Sequence, residues 1–233
     1  MADTIYQPYD DGNQTPHRVQ GYARTFSRTP DAPFVERPLT LTERTGPLGV
    51  GQRLAVGSAD FTRTSPDGPR AQGPLMLLHG RVADQDGSPV AGAMVEVWHA
   101  NASGKYIHED DGFNAPFDPN FTGGGRVVTD ADGRFTITTV KPGPYRAGPA
   151  SWRAPHIHFS IISVSWMDRM VTQMHFPGEP LNDFDMLLNA APDGTPRNSM
   201  IARALPPSVE AGDASAFEHL FVLRGHTGGN AVA

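Results

Sequence analysis

The sequence is poor in several residue types, and each absence excludes a class of protein. The 233-residue chain contains no cysteine, which excludes disulfides, thiolate metal ligands and a cysteine nucleophile. Lysine and arginine number 19 against 25 acidic residues, and the formal net charge is -6. Because no basic stripe runs along the chain, we expect no nucleic-acid partner. No apolar run approaches the ~20 residues that a membrane helix needs, so we expect no membrane association.

The first residues, MADTIYQPYDDG, also lack a basic region followed by an apolar stretch. A secretory signal needs both, so we expect none and place the protein in the cytoplasm. Glycine and proline, in contrast, are plentiful, with 25 and 22 residues. Such a composition favours many turns and short strands over long helices.

From residue 75 onward, short alternating segments are separated by turn residues. In AMVEVWHA, Val95, Val97 and His99 share one face of a predicted strand. We predict further strands over LMLLHGRVAD, HIHFSIISV, MVTQMHF and EHLFVLRG, a hairpin over RVVTDADGRFTITTV with DADG as its turn, and a short helix over NSMIARAL. These segments predict an all-β protein, with a β-sandwich core, long loops and an extended N-terminal arm.

The arm comprises residues 1–72, and the sandwich domain comprises residues 73–233. The arm mixes prolines, charges and scattered aromatic residues without a steady period. Its aromatic side chains need burial, so we expect the arm to pack on a partner subunit or on the main body of the chain. These side chains are Tyr6, Tyr9, Tyr22, Phe26 and Phe34.

The segment WRAPHIHFSI places two histidines one residue apart. Alternate side chains of a strand point to the same face, so His156 and His158 project together, with Cα atoms about 6.6 Å apart. Two such imidazoles can bind one metal ion, or can make ordinary hydrogen bonds on a half-buried strand. A cupin-like Fe(II) site is disfavoured because no carboxylate follows before Asp168. A zinc site completed by His175 or His108 remains open.

Tyrosine offers another kind of ligand. The chain has five tyrosines, and only Tyr106 and Tyr145 lie outside the arm, both in loops marked by glycine and proline, where functional groups concentrate. A phenol has a pKa of about 10, so it becomes a ligand at neutral pH only beside a strongly charged cation. The phenolate is a hard, anionic donor that suits Fe(III).

Three stretches together resemble the intradiol ring-cleavage dioxygenases. They are GRVADQDGSPVAGAMVEVWHANASGKYIHEDD, FDPNFTGGGRVVTDADGRFTITTVKPGPY and WRAPHIHFSI. The resemblance covers about residues 75–225, and it is nearest to the iron-binding β subunits of the family's protocatechuate-cleaving members. In the arm, only TERTGP matches.

The resemblance implies a non-haem Fe(III) held by Tyr106, Tyr145, His156 and His158. It also implies that a catechol and O2 are the substrates, that both oxygen atoms enter the product, and that the ring opens between its hydroxylated carbons to give a cis,cis-muconate. Tyr145 would accept a catechol proton, and Arg153 would stabilise negative charge on the ring. No organic cofactor is needed. Gln173, Leu187 and Ala147 match positions that line the substrate pocket.

The chain departs from the family pattern around the pocket. Ala147 occupies a position where the family's protocatechuate enzymes usually carry tryptophan. His175 replaces a frequent tyrosine and His99 a frequent glutamine, and we expect each to be a core or hydrogen-bonded residue. The resemblance still implies the iron chemistry, with protocatechuate as the first expected substrate and 4-sulfocatechol as the second. The resemblance also implies an α subunit that helps to bind the ring carboxylate, in an αβ hetero-oligomer.

Two other interpretations compete with this one. The segments GRVADQDGSPVAGAMVEVW and TDADGRFTITTVKPG also occur in non-catalytic, transthyretin-like β-sandwich modules, and a shared fold does not imply catalysis. Those modules lack the His-x-His strand and the two loop tyrosines. A homo-oligomeric catechol or hydroxyquinol 1,2-dioxygenase is the other alternative. Such enzymes carry a helical N-terminal dimerisation region, which the proline-broken arm does not resemble.

Overall fold

The computed structural model describes residues 15–32, 35, 57–109, 111–148, 151–163, 169–192, 194–208 and 211–224. Within these residues the strands are β1 Leu75–Ala83, β2 Met94–Trp98, β3 Gly124–Val128, β4 Arg134–Val140, β5 Tyr145–Arg146, β6 Trp152–Arg153, β7 His156–Ile162, β8 Arg169–His175, β9 Arg203–Ala204 and β10 Ser215–Val222. The helices are short: α1 Ala23–Arg28, α2 Thr195–Ser199 and a 3-10 helix at Pro180–Asp183.

The strands form two four-stranded sheets and a small ribbon. One sheet has the order β4-β1-β10-β9, the other has the order β3-β2-β7-β8, and β5 pairs with β6. Strands β1 and β10 are parallel, and the remaining pairs in the two large sheets are antiparallel. The predicted all-β sandwich is confirmed.

The core lies between the two sheets and is built from alternate residues of each strand. Ile157, Phe159 and Ile161 of β7 face inward with Val95 and Val97 of β2, and all five side chains are buried. Burying each such side chain contributes roughly 1.5–3 kcal/mol. His99 is also buried, on the face predicted from the alternation.

The predicted hairpin over residues 126–140 is wrong. Strand β3 pairs with β2, whereas β4 pairs with β1, so the turn at residues 130–133 crosses from one sheet to the other. The turn itself forms as its residues require: Gly133 has φ +70°, and a Cβ there would lie 2.3 Å from the Val82 carbonyl oxygen. Alternation identifies the inward face of a strand but not its neighbour.

The helix predicted over NSMIARAL is largely wrong. Helix α2 ends at Ser199, Ile201 then bridges to His175, and Arg203–Ala204 forms β9 against β10. Pairing with existing sheet edges satisfies the backbone of this segment, and that tertiary context overrides the local helix preference.

Parts of the predicted arm contact the sandwich. Tyr22 is buried, and Phe61 enters the core with its N–H donating to the Thr138 carbonyl at 2.8 Å. Phe26 is 42 % exposed. Tyr6, Tyr9, Phe34, Asp168 and the TERTGP segment lie outside the described residues, and the domain boundary at residue 72 stays a prediction. No helix in the described part of the chain is long and apolar enough to cross a membrane.

Candidate active site

Strand β7 brings the two histidines of HIH together. Ile157 and Phe159 point into the core, so His156 and His158 share the opposite face, beneath the loops. Their Nε2 atoms lie 3.2 Å apart, and their ring centroids lie 4.8 Å apart. The spacing of the strand therefore places two nitrogen atoms within reach of one bound cation.

Both imidazoles are neutral near pH 7. Burial, reinforced by the nearby Arg153 cation, lowers the pKa of His156 well below its usual value. Burial lowers the pKa of His158 to about 3. His156 donates its Nδ1–H to the Ala154 carbonyl at 2.6 Å, which leaves the lone pair on Nε2. Metal-binding histidines commonly donate their other ring N–H to a backbone carbonyl in this way.

Two loops deliver the tyrosines to the same face. Asn101 shapes the first loop, since its Oδ1 accepts from the N–H groups of Ser103 and Lys105. The loops then touch backbone to backbone: Gly104 has φ +83°, and a Cβ there would lie 2.2 Å from the Pro144 carbonyl oxygen. Only glycine permits both this φ and this approach.

The phenols consequently lie beside the histidines. The Tyr106 Oη is 3.5 Å from the His156 Nε2. The Tyr145 ring lies 5.6 Å from the His156 ring and 5.4 Å, edge-on, from the Tyr106 ring. Burial raises the pKa of both phenols, that of Tyr106 well above its ordinary value and further because of Tyr145.

This donor set fits a ferric ion. Two half-buried phenols with raised pKa values ionise only where a strong positive charge offsets their desolvation. Two neutral imidazoles with converging Nε2 atoms complete an N2O2 set suited to Fe(III). Among the described residues, no cluster of three or more histidine, cysteine, aspartate or glutamate side chains could hold a metal ion. The zinc alternative therefore gains no support: His175 stacks on His156 at 5.5 Å, and His108 is exposed.

Arg153 is buried next to this group. It pairs with Tyr145 across the β5–β6 ribbon. Its Nε donates to Asp185 Oδ2 at 2.9 Å, and its Nη2 donates to Gln173 Oε1. Burial lowers the pKa of Arg153, but Asp185, Tyr145 and Tyr22 together outweigh burial and raise this pKa above its ordinary value. The Tyr22 ring covers the guanidinium, with its centroid 5.9 Å from Cζ.

The structure brings together most of the residues predicted for the site, but not all of them. The four predicted metal ligands, Arg153 and Gln173 form one group, joined by the contacts above. Leu187 is half-buried, and its N–H donates to Asp185 Oδ1 at 3.0 Å. Ala147 is half-buried, and its N–H donates to the Ser151 carbonyl. Its pocket role stays a prediction.

Sequence reasoning missed three side chains around this group. Trp98 stacks on His158 at 5.0 Å and 4° between planes, and Tyr22 covers Arg153. Asp185 is the buried partner of Arg153. The alternation of β2 carried a signal for Trp98, since it set Trp98 on the face opposite to the core. No local pattern singles out Tyr22 or Asp185.

Comparisons with known proteins agree with this geometry. Residues 46–225 match the family model described as Dioxygenase. The protocatechuate 3,4-dioxygenase beta chain of Burkholderia cepacia is 37 % identical over 226 residues, covering 96 % of each chain. The chlorocatechol 1,2-dioxygenase of Pseudomonas sp. strain P51 is 32 % identical over 133 residues, covering 51 % of this chain and 50 % of that protein. The solved structure of catechol 1,2-dioxygenase from Pseudomonas arvilla C-1 has 26 % identity and a TM-score of 0.54, covering 75 % of this chain and 58 % of that one.

The fold, the family match and the near full-length relative define an enzyme class. The chain belongs to the intradiol ring-cleavage dioxygenases. Within that class it is similar, along almost its whole length, to a protocatechuate 3,4-dioxygenase beta chain. It spans only about half the length of the chlorocatechol and catechol 1,2-dioxygenases it matches.

Proposed function

We propose that this chain is the iron-binding subunit of an Fe(III)-dependent intradiol dioxygenase that cleaves a substituted catechol. The substrate we expect first is protocatechuate, which would yield 3-carboxy-cis,cis-muconate. The alternative substrate is 4-sulfocatechol. The observation that carries the proposal is the convergence of two half-buried phenols and two neutral imidazoles on one face of β7. Such a set has no purpose in a non-catalytic sandwich module.

Tyr106, Tyr145, His156 and His158 would hold the ferric ion. When bound, Fe(III) supplies a Lewis acid that makes a catechol acidic and electron-rich enough to react with O2. The backbone bond from His156 Nδ1 fixes the tautomer that presents Nε2. The stack of Trp98 on His158 holds the second ring and covers one side of it.

Tyr145, besides holding the metal, and two neighbouring residues act on the catechol. Tyr145 Oη accepts one of the two catechol protons, because a phenolate is a competent base at neutral pH. Arg153 places a fixed cation beside Tyr145, where it stabilises negative charge that develops on the ring. Gln173 holds an amino group of that guanidinium, so its contribution includes orienting Arg153 as well as lining the pocket.

The substrate assignment draws on the relatives and on the pocket. The protocatechuate 3,4-dioxygenase beta chain of Burkholderia cepacia matches 96 % of this chain, and its name gives the substrate class. We extend that class to this chain, together with an α-type partner chain that completes the site for the ring carboxylate. Ala147 provides a small side chain in the loop after Tyr145, which would leave room for a larger substituent such as sulfonate.

A catechol or hydroxyquinol 1,2-dioxygenase is the second candidate, favoured by the matches to relatives with those names. The described part of the amino-terminal region argues against it, since its helix α1 has six residues. That is far shorter than a helical dimerisation region requires.

Substrate and product analysis tests the proposal. The iron-loaded full chain, alone and co-expressed with an α-type chain, is given protocatechuate, 4-sulfocatechol, catechol and hydroxyquinol under 18O2. We expect a muconate with two labelled oxygen atoms, formed fastest from an acidic catechol and with the α-type chain present. Faster turnover of catechol or hydroxyquinol by the chain alone would favour the second candidate. No ring cleavage of any of the four would overturn both.

A further inference from the structure

The side chain of Asp185 accepts four hydrogen bonds, so neither carboxylate oxygen is left without a donor. Its side chain is fully buried. Oδ2 accepts from the Nε of Arg153 at 2.9 Å and from the N–H of Ala154 at 2.8 Å. Oδ1 accepts from the N–H groups of Leu187 and Leu188, each at 3.0 Å.

This arrangement requires a group that only accepts. Each carboxylate oxygen faces two N–H donors, so an amide at this position would turn its NH2 toward donors in either orientation. Two hydrogen bonds would be lost whichever way the amide lies. Burial raises the pKa of the Asp185 carboxyl, but Arg153, His175 and the N–H of Leu188 together outweigh burial and lower this pKa below its ordinary value.

The bonds of Asp185 reach the catalytic groups on β6 and β7. Oδ2 holds the guanidinium of Arg153 and, at the next residue, the peptide N–H of Ala154. The carbonyl of Ala154 accepts the Nδ1–H of His156 at 2.6 Å, so the same residue connects Asp185 to the ring that presents Nε2. Through Oδ1, Asp185 also fixes the turn that carries Leu187.

We propose that Asp185 is a positioning residue that locks the Arg153–Ala154 segment, and with it the guanidinium of Arg153 and the ring of His156. Asp185 touches neither substrate nor metal, and acts through these neighbours. The inference rests on the proposed function for its kinetic consequence, but not for its structural one. It explains why a charged residue is buried where the neighbouring Asp183 is exposed.

The first test needs no change at Asp185 and no metal. In the 15N-labelled, metal-free full chain, we expect the Arg153 Nε–H to give a hydrogen-exchange-protected signal, assigned by its loss in Arg153→Gln. We also expect the His156 ring to be held as the Nδ1–H tautomer. Rapid exchange of the Arg153 Nε–H with solvent, or a mixture of His156 tautomers, would overturn the proposal.

The second test compares two aspartates that lie two positions apart in the sequence. Asp185→Asn is matched by Asp183→Asn, because Asp183 is exposed and only loosely paired with Arg197 at 3.7 Å. In Asp185→Asn we expect protection of the Arg153 Nε–H to fall on the order of tenfold or more. Unchanged protection in a folded Asp185→Asn protein would overturn the proposal, and a variant that does not fold leaves the decision to the first test.

Kinetics separate positioning from general support of the fold. We expect Asp185→Asn to lower kcat by about 100-fold, because the guanidinium of Arg153 would no longer be aligned as a donor toward the substrate. The change in KM should be less than about threefold. Because Asp185 acts through Arg153, adding it to Arg153→Gln should cost at most about tenfold more. Independent, multiplicative effects of the two changes would contradict the proposal.

The two proposals can fail separately. If the wild-type chain cleaves no catechol, the proposed function fails, while the exchange and tautomer measurements still decide the role of Asp185. If the chain is an active dioxygenase and the Arg153 Nε–H is unprotected, the proposed function stands and the role of Asp185 is refuted.

Discussion

The Nε2 atoms of His156 and His158 lie 3.2 Å apart, and the Tyr106 Oη lies 3.5 Å from the His156 Nε2. In the metal-free protein a single proton on the His158 Nε2 can join the two nitrogens. A cation bound to both Nε2 atoms would shift that proton to the Nδ1 of His158, so the imidazoles lose no net proton and only the two phenols must release theirs. Since burial keeps both rings neutral near pH 7, the site is prepared for a cation without a large cost in ring deprotonation.

Removing one histidine of the pair should release the iron. We expect His158→Ala to retain less than about a tenth of the wild-type iron, because losing one of four protein donors also exposes the remaining ones to water. Metal content per chain, measured after desalting, checks this. The matched control is His79→Ala, an imidazole bonded to Thr136 on the other sheet. Equal iron in His158→Ala and wild type would refute its assignment as a ligand.

Replacing Arg153 should affect stability and turnover together. Arg153→Ala leaves the buried carboxylate of Asp185 unpaired, which costs about 3–5 kcal/mol in the free energy of unfolding. Arg203→Ala breaks a surface pair with Glu218 and should cost less than about 1 kcal/mol. Urea unfolding compares the two variants.

The variant Arg153→Lys should fold but turn over about 100-fold more slowly, since an ammonium lacks the guanidinium fork. Full activity in Arg153→Lys would contradict the catalytic role.

A core substitution tests the position of β7 in the sandwich. Phe159 is fully buried, and its ring lies 4.6 Å from that of Phe221 on the opposite sheet. Phe159→Ala should lower the free energy of unfolding by about 3–5 kcal/mol through the cavity it leaves. Val171→Ala, on the exposed face of neighbouring β8, should change it by less than about 0.5 kcal/mol. Similar losses for the two variants would contradict the inward orientation of Phe159.

The buried His99 should make folding sensitive to mild acid. Burial lowers its pKa to about 4, while the unfolded chain has a pKa of about 6.5 at this residue. The unfolded state therefore binds the proton first, and the stability contributed by neutral His99 is present above pH ~6.5 and is lost as the pH falls toward about 4. The difference of about 2.5 pH units corresponds to roughly 3 kcal/mol.

Replacing His99 with glutamine checks this contribution. The amide can serve the Ala100 carbonyl or Thr139, to which the His99 nitrogens bond at 2.8 and 2.9 Å, but it does not titrate. Unfolding free energies of His99→Gln should therefore fall less steeply between pH 6.5 and 4 than those of the wild type. An identical slope in both proteins would show that His99 is not the residue responsible.

The strands and the histidine pair could be predicted because they depend on local periodicity. The order HIH on a strand determines which side chains share a face, so this three-residue pattern was enough to place His156 and His158 together. The tyrosines carried a weaker signal, since only their positions in loops suggested a function. Their proximity to the histidines depends on a contact between Gly104 and Pro144, which are distant in the sequence. Only the family resemblance linked them in advance.

The remaining features depend on non-local contacts. The turn at residues 130–133 was predicted correctly as a turn but wrongly as a hairpin, because sheet membership is decided by β1 and β2, far along the chain. Asp185 lies 32 residues from Arg153 in the sequence. The charged residues around it resemble those of an ordinary surface loop. Its burial follows from tertiary packing alone, which no pattern in the segment reveals.

The visible absorption spectrum of the iron-loaded chain tests the central claim most directly. Two phenolates bound to Fe(III) should give a charge-transfer band that changes when a catechol is added without oxygen. We expect the band to be lost or strongly altered in Tyr106→Phe and Tyr145→Phe, and kept in Tyr22→Phe, which removes a nearby phenol that is not among the four donors. A colourless iron-loaded protein, or a band unchanged in both of the first two variants, would contradict the account.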